Sequence, residues 1–391
     1  MAKKCYVGIS SKAKRVKKIY VGINGVCKKI KKAYIGVNGV ARLFYSPTYT
    51  ITKMSNATSL TAVAHAATHV GNYALYAVGS YSSTVNAYDT SLTRSSPTGL
   101  SIARTSVGYT HIGNYALFAG GKKSTTVTDN TNRVDAYNTS LTRSQPTALS
   151  FSQSSCAGST NGAYAIFGYG VTNLSTETYS KVNKIDCYNS SLTKTSITQT
   201  PFHNNAKGTH VGNYALFVGG QGLNSRTNTV GWTNRVEVIN QSLTQSYKTL
   251  SSARMAVGVS HVGDYAILVA GRDLSETTYN KYGNTVECFN SSLTQNSLAN
   301  WWTRSSGVAG THTNNFALFG GGSYSKDNSD YTYHTNVYSF DASLTKTQLT
   351  SVTGKKVAAM ANCVGNFALF STATTTSGSV LNIEVYKEVE S

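Results

Sequence analysis

Apolar residues in this chain fall into short runs that return at long intervals. The clearest unit is residues 107–150, VGYTHIGNYALFAGGKKSTTVTDNTNRVDAYNTSLTRSQPTALS, and variants of it follow one another to the end. Its apolar centre, an aromatic residue followed by Ala, falls at Tyr73, Tyr115, Tyr164, Tyr214, Tyr265, Phe316 and Phe367, with spacings of 42, 49, 50, 51, 51 and 51 residues. No stretch keeps a 3.6-residue apolar period, so the pattern predicts strands rather than helices. Each copy holds four: A (106–112), B (115–121), C (133–138) and D (about 142–149). Strand B is apolar almost throughout, as a strand covered on both faces must be. Seven such sheets, each able to bury its faces only against its neighbours, predict an all-β, seven-bladed β-propeller.

The connections agree with that division. Between A and B stands Gly-Asn or Gly-Asp, at 71–72, 113–114, 212–213, 263–264 and 365–366, with 162–163 and 314–315 as variants. Gly in first place suits a two-residue type II′ hairpin. Between C and D stands Asp/Asn-x-Ser-Leu-Thr, around Leu92, Leu141, Leu192, Leu243, Leu293 and Leu344, where an Asx side chain can bond its own turn and Leu packs beneath it. The seventh copy stops after strand C. Residues 47–54, PTYTITKM, form an orphan strand before the first copy, so they are expected to complete the last blade and leave no open edge. The domains are then 1–46 and 47–391.

Residues 1–46 carry a different repeat of three fourteen-residue copies, CYVGISSKAKRVKK, IYVGINGVCKKIKK and AYIGVNGVARLFYS. Asn24-Gly25 and Asn38-Gly39 mark two hairpins, predicting a small β-meander whose middle strand runs over 26–37. Its exposed edges favour pairing with other copies, which allows a homo-oligomer such as a trimer, or with another protein.

Composition changes this picture in one respect. The formal charge is +19, but residues 1–46 hold twelve Lys and Arg and no acid, leaving +7 for everything else. The basic character therefore belongs to the arm, with Lys17, Lys18, Lys28, Lys29, Lys31 and Lys32 as its attachment candidates, and nucleic acid is disfavoured as a partner of the rest. No apolar run is long enough to span a bilayer, so no membrane insertion is expected. The start, MAKKC, is not followed by a secretory signal, so synthesis in the cytoplasm is expected. Six unpaired cysteines read as reduced fillers.

Two resemblances follow from these residues. Gly120-Gly121, Gly219-Gly220 and Gly320-Gly321 after strand B, with Tyr88, Tyr137, Tyr188, Phe289 and Phe340 before the C–D turn, resemble the kelch motif of galactose-oxidase-type propellers. The N-terminal repeat is similar to tandem segments at the start of tail-associated proteins of bacteriophages. That likeness implies attachment of residues 1–46 to other virion or tail proteins, and a place on a virion, or outside the cell after lysis.

Candidate chemistry lies in the variable B–C loops, 122–132, 171–183, 221–234, 272–285 and 322–336, on the face opposite the tight turns. They supply Trp232, Tyr179, Tyr279, Tyr282, Tyr324, Tyr331, Tyr333 and His334 among Asn, Ser and Thr. Rigid aromatics beside adaptable polar groups suit a host surface glycan or protein. His69, His111, His210, His261 and His312 recur four residues before the core aromatic and are read as scaffold. No metal site, cofactor or catalytic set is expected. The reading is a non-enzymatic receptor-binding protein of a phage-like particle. Two alternatives stay open: a polysaccharide-acting enzyme using acids such as Glu177, Asp273, Glu276 and Asp327, and an intracellular hub with a nucleic-acid-binding arm.

Overall fold

A computed structural model describes residues 47–390 apart from 127–128, 173, 176–177, 180–183, 200–202, 224–229, 274–281, 326–330, 354–355 and 374–380, together with six short strands before residue 46. The six strands form three separate two-stranded hairpins: Tyr6–Ile9 with Lys12–Arg15, Tyr20–Ile23 with Val26–Lys29, and Ala33–Val37 with Val40–Tyr45. Ile23 pairs with Val26 and Val37 with Val40, and the Asn-Gly pairs between them lie outside the described residues. The expected middle strand over 26–37 is instead two, Val26–Lys29 and Ala33–Val37, each paired only within its own hairpin. Lys28 and Lys29 lie in the first of these. Lys17, Lys18, Lys31 and Lys32 lie outside the described residues. Contacts divide the chain into two units, 1–52 with 388–391, and 53–387.

The larger unit is all-β: seven antiparallel sheets, the first six in chain order A-B-C-D. Blade 2 is typical, with Gly108–Ile112, Tyr115–Ala119, Val134–Asn138 and Arg143–Ser144. The seven A strands touch one another in sequence and the last touches the first, forming an inner ring. A row of side chains, each one residue before the histidine position, ties this ring. Thr209 Oγ1 donates to Ser260 O at 3.3 Å and Ser260 Oγ to Thr311 O at 2.5 Å, while Ser159 Oγ donates to Thr209 O. Asn362 Nδ2 closes the circle on Thr68 O at 2.7 Å. The strands come so close that a Cβ on Gly208 would stand 1.9 Å from Gly158 O.

Turn chemistry follows the sequence. The glycines opening the A–B hairpins at 71, 113, 212, 263 and 365 have φ of +51 to +55°, and their Asn or Asp successors do not leave the usual region. At the C–D turns Asn138 Oδ1 accepts from Ser140 N at 3.0 Å and Thr142 N at 2.9 Å, and five other blades use Asp89, Asn189, Asn240, Asn290 and Asp341 identically. All six turn leucines adopt positive φ, between 59 and 63°. Strand D is shorter than the 142–149 predicted. Blades 1 and 2 keep only Arg94–Ser95 and Arg143–Ser144 because Pro97 and Pro146 follow without an N–H to donate. Blades lacking that proline reach four or five residues, as in Gln245–Thr249.

Strand C does more than fill the blade. Its third position is a buried acid or amide in six copies and Tyr338 in blade 6, and as Asn86, Asp135, Asp186, Glu287 or Glu384 it fastens the loop that leads into the same blade. Asp135 accepts from Ser101 N and from Arg104 Nη2 at 2.8 Å. Asp186 accepts from Ser150 N, Glu287 from Ser251 N and Arg254, and Glu384 from Thr353 N. Two residues on, the hydroxyls of Tyr88, Tyr137, Tyr188 and Tyr386 donate to carbonyls of those loops at 2.5–2.8 Å. The same rings meet a strand-B aromatic edge to face, as Phe118 meets Tyr137 at 6.0 Å.

The last sheet runs Lys356–Val364, Phe367–Ala373, Leu381–Glu390, with Tyr49–Lys53 in fourth place. Met54 N donates to Val385 O and Ala57 N to Ile383 O, both at 2.9 Å, and Lys53 Nζ lies 2.8 Å from Glu384. Removing residues 1–57 would leave those two carbonyls without donors and uncover the Leu381–Glu390 edge. A drop in Tm of about 5 °C or more, with association at rising concentration seen by light scattering, is expected. Within a blade, Arg104→Met strands the buried Asp135 carboxylate and should cost about 3 kcal/mol in denaturant unfolding, more than Arg104→Met combined with Asp135→Asn.

Candidate functional site

The channel inside the A strands holds two chambers. Thr160, Cys363 and the five histidines occupy corresponding positions and converge on the axis near the A–B turns, in a chamber of about 160 Å³. His69 and His111 have ring centroids 4.1 Å apart, His210 and His261 3.9 Å, and His261 and His312 4.0 Å. Cys363 Sγ sits 3.5 Å from both His69 Nδ1 and His312 Nε2. Burial holds these imidazoles neutral: His111 and His210 are lowered to about 4 and His312 to about 3, and His69 and His261 are also well below 6.5. The thiol of Cys363 is pushed up to about 12 by burial. Among the described residues no group of three or more His, Cys, Asp or Glu is placed to hold a metal ion.

The second chamber, about 380 Å³, lies toward the other end, where the D–A loops enter the A strands. Tyr109, Gly158, Lys207, Gly208 and Val259 line both chambers and so form the partition. Tyr109 fits there because the residues at its position in other blades are small, Gly158, Gly208 and Gly310 among them.

The outer loops are more ordered in their backbone than variable sequence suggests. The described parts form hairpins: Gln221–Leu223 with Val230–Trp232, Ser323–Ser325 with Tyr331–Tyr333, and in blade 5 the B and C strands extend to Asp273 and Tyr282. Of the predicted aromatics, Tyr331 is 48% exposed and stacks near Tyr333, with centroids 6.4 Å apart. Trp232 is half-buried, with the Arg272 guanidinium 5.6 Å from its centroid and 5.5 Å from that of Tyr282. Tyr282 itself is 2% exposed and His334 5%, so neither presents a free face. His334 is packed between Tyr324, stacked at 5.5 Å, and Trp302, edge-on at 4.6 Å. Tyr179 is described only as a strand residue paired with Leu174. Asp273 is described only as the end of its strand, and Tyr279, Glu177, Glu276, Asp327 and Asp330 lie outside the described residues.

Sequence reasoning missed Trp302, which is 40% exposed and completes this aromatic cluster from the loop entering blade 6. Its signal is the tandem Trp301-Trp302 at a D–A connection, which opens on the same face as the B–C loops. Lys207 and His65 were also missed. Lys207 stands where other blades have Ala66, Gly108, Ala157, Gly258 and Ala309, and His65 falls out of the histidine register beside a bulge between Ala64 and Ala66.

Fold and channel together define a seven-bladed β-propeller of kelch-like build. Its structure is similar to one described as "Structure of YjhT", with a TM-score of 0.51, 11% sequence identity, and coverage of 85% of this chain and 97% of that one. At that identity the likeness is one of fold. No protein-family model and no curated protein matches the sequence.

The histidine chamber makes stability pH-dependent. The unfolded chain takes up protons on these groups as pH falls through 6.5, whereas the folded ring stays neutral to about 4 or below, so the unfolded state gains over that window. Unfolding free energy should therefore fall from pH 7 to pH 4. The fall should be shallower in His111→Gln and His261→Gln, a comparison that cancels the carboxylates; parallel curves for wild type and variants would remove the ring from the account.

Proposed function

We propose that the propeller is a non-enzymatic binding module that engages a glycan or protein surface through the loop face carrying Trp302, Tyr324, Tyr331 and Tyr333. The observation that carries this reading is the aromatic cluster itself. Tyr331 stands exposed on a short hairpin and Trp302 on the neighbouring loop, with Tyr324 and Tyr333 half-buried and the buried His334 packed against Tyr324 and Trp302, on the face opposite the stereotyped turns. Aromatics held rigidly lose little entropy on binding and offer flat apolar faces to sugar C–H groups or side chains. Asn, Ser and Thr around them supply donors and acceptors.

Strand C of the last blade runs toward the tight-turn end, since Lys387 pairs with Phe367 directly after the Gly365–Asn366 turn, so the aromatic loop face is left open for a partner. The resemblance of residues 1–46 to phage tail segments supports placing the protein on a virion, with the Lys-rich arm as the attachment element and a host envelope glycan or protein as the partner.

Tyr331→Ala and Trp302→Ala should each weaken binding of the purified protein to host envelope preparations or a glycan array by about tenfold or more, with the thermal melt unchanged. Tyr247→Ala, on an equally exposed tyrosine of strand D in blade 4, should have no effect. Binding that survives both loop substitutions would overturn the assignment of this face.

A further inference from the structure

The chamber behind the loop face differs in chemistry from the aromatic surface. Its wall contains Lys207 and His65, together with an apolar belt that includes Met255, Val259 and Met360, and no Asp or Glu lines it or the histidine chamber beyond the partition. Lys207 forms no ion pair among the described residues. Both ring nitrogens of His65 are buried without a hydrogen-bond partner. Other cations near the axis are matched, since Arg104 pairs with Asp135 and Arg254 with Glu287.

A lone ammonium and an unpartnered imidazole in the wall of one cavity are both unfavourable in a protein that otherwise satisfies its buried polar groups. Burial lowers the ammonium of Lys207, which measures the same penalty. The scaffold has no need of a lysine at this position, because Ala or Gly fills it in five other blades and Met360 in the last. An anionic group entering the chamber would remove both deficits at once: it would neutralise the ammonium and accept the imidazole N–H. The volume, about 380 Å³, falls within the range of small-molecule sites. The methionines and valine give an apolar body a surface to lie on, and methionine adapts to irregular shapes.

We propose that this axial chamber is a second ligand site, separate from the loop surface, that takes a small organic anion with its carboxylate or phosphate at Lys207 and His65 and its apolar part against Met255, Val259 and Met360. Entry is from the D–A end of the channel, because Tyr109 fills the axis on the other side.

The test uses the full chain and three probes of matched length: hexanoate, hexyl phosphate and uncharged hexanol, followed by titration calorimetry and thermal shift at pH 7. At least one of the two anions should bind and raise Tm, hexanol should not, and the stronger anion identifies the head group. Lys207→Met should lower the affinity at least tenfold, Lys207→Arg should retain most of it, and Tyr331→Ala should leave it unchanged. Should Lys207→Met fail to fold, His65→Gln is read in its place, with a smaller loss expected. The proposal is overturned if neither anion binds at millimolar concentration, if hexanol binds equally well, or if the folded variant binds as the wild type does.

Discussion

Everything in the larger unit depends on the ring being closed. A four-stranded sheet has two faces and no core of its own, so a blade is stable only between two others. The clusters of buried side chains show this directly. Leu369, Ile383 and Val385 of blade 7 pack with Ala74, Tyr76 and Tyr88 of blade 1, so the chain's two ends share one core. Hydrogen bonding obeys the same rule. Ser159, Thr209 and Ser260 each donate to the next blade's inner strand, and Tyr76 of blade 1 donates to Leu369 O of blade 7 at 3.2 Å. Were Met54 and Ala57 not hydrogen-bonded to the last C strand, blade 7 would be a three-stranded sheet with an exposed edge, and the weakness would pass around the ring.

That constraint explains which features were legible in the sequence. Period, strand B and the two turn phrases are local, and each has a local cause: positive φ at Gly113, an Asx oxygen at Asn138, solid apolar character from Tyr115 to Ala119. Closure could be inferred because one strand was missing and one was spare. The strand-C acids were overlooked because the position varies among Asp, Glu, Asn and Tyr, and a varying polar residue reads as surface. Only the fold shows that Asp135, Asp186, Glu287 and Glu384 are turned inward to hold the incoming loops. In blade 6 the kelch glycines are Gly321 and Gly322, which stand where Gly120 and Gly121 do in blade 2 and share their positive φ, rather than Gly320 and Gly321.

The histidines show where a sequence argument reaches its limit. Five copies at one register position suggested one structural task each, and their neutral, packed state agrees with a structural role. What the repeat could not show is that the rotation from blade to blade brings the five onto a common axis within ring contact, with Cys363 among them. Convergence of that kind is a property of the closed ring, not of any one copy. The same reasoning applies to Tyr109, whose size matters only because Gly158, Gly208 and Gly310 face the same axis.

A repeat carries its scaffold in what the copies share, so what is particular to this chain must sit where a copy departs from the rest. Tyr331, Trp302, Lys207 and His65 are such departures. The first two stand exposed where burial would favour them, and the last two are half-buried, with both ring nitrogens of His65 out of solvent, where solvation would favour them. A substitution that helps neither the blade nor its neighbour, yet stands at the mouth or the wall of the channel, has no folding task to account for it. The loop surface and the axial chamber are therefore two places, among the described residues, where this propeller departs from what its architecture requires, and they differ in chemistry. One is a broad surface of rings and amides; the other is a small apolar well with a single ammonium in its wall.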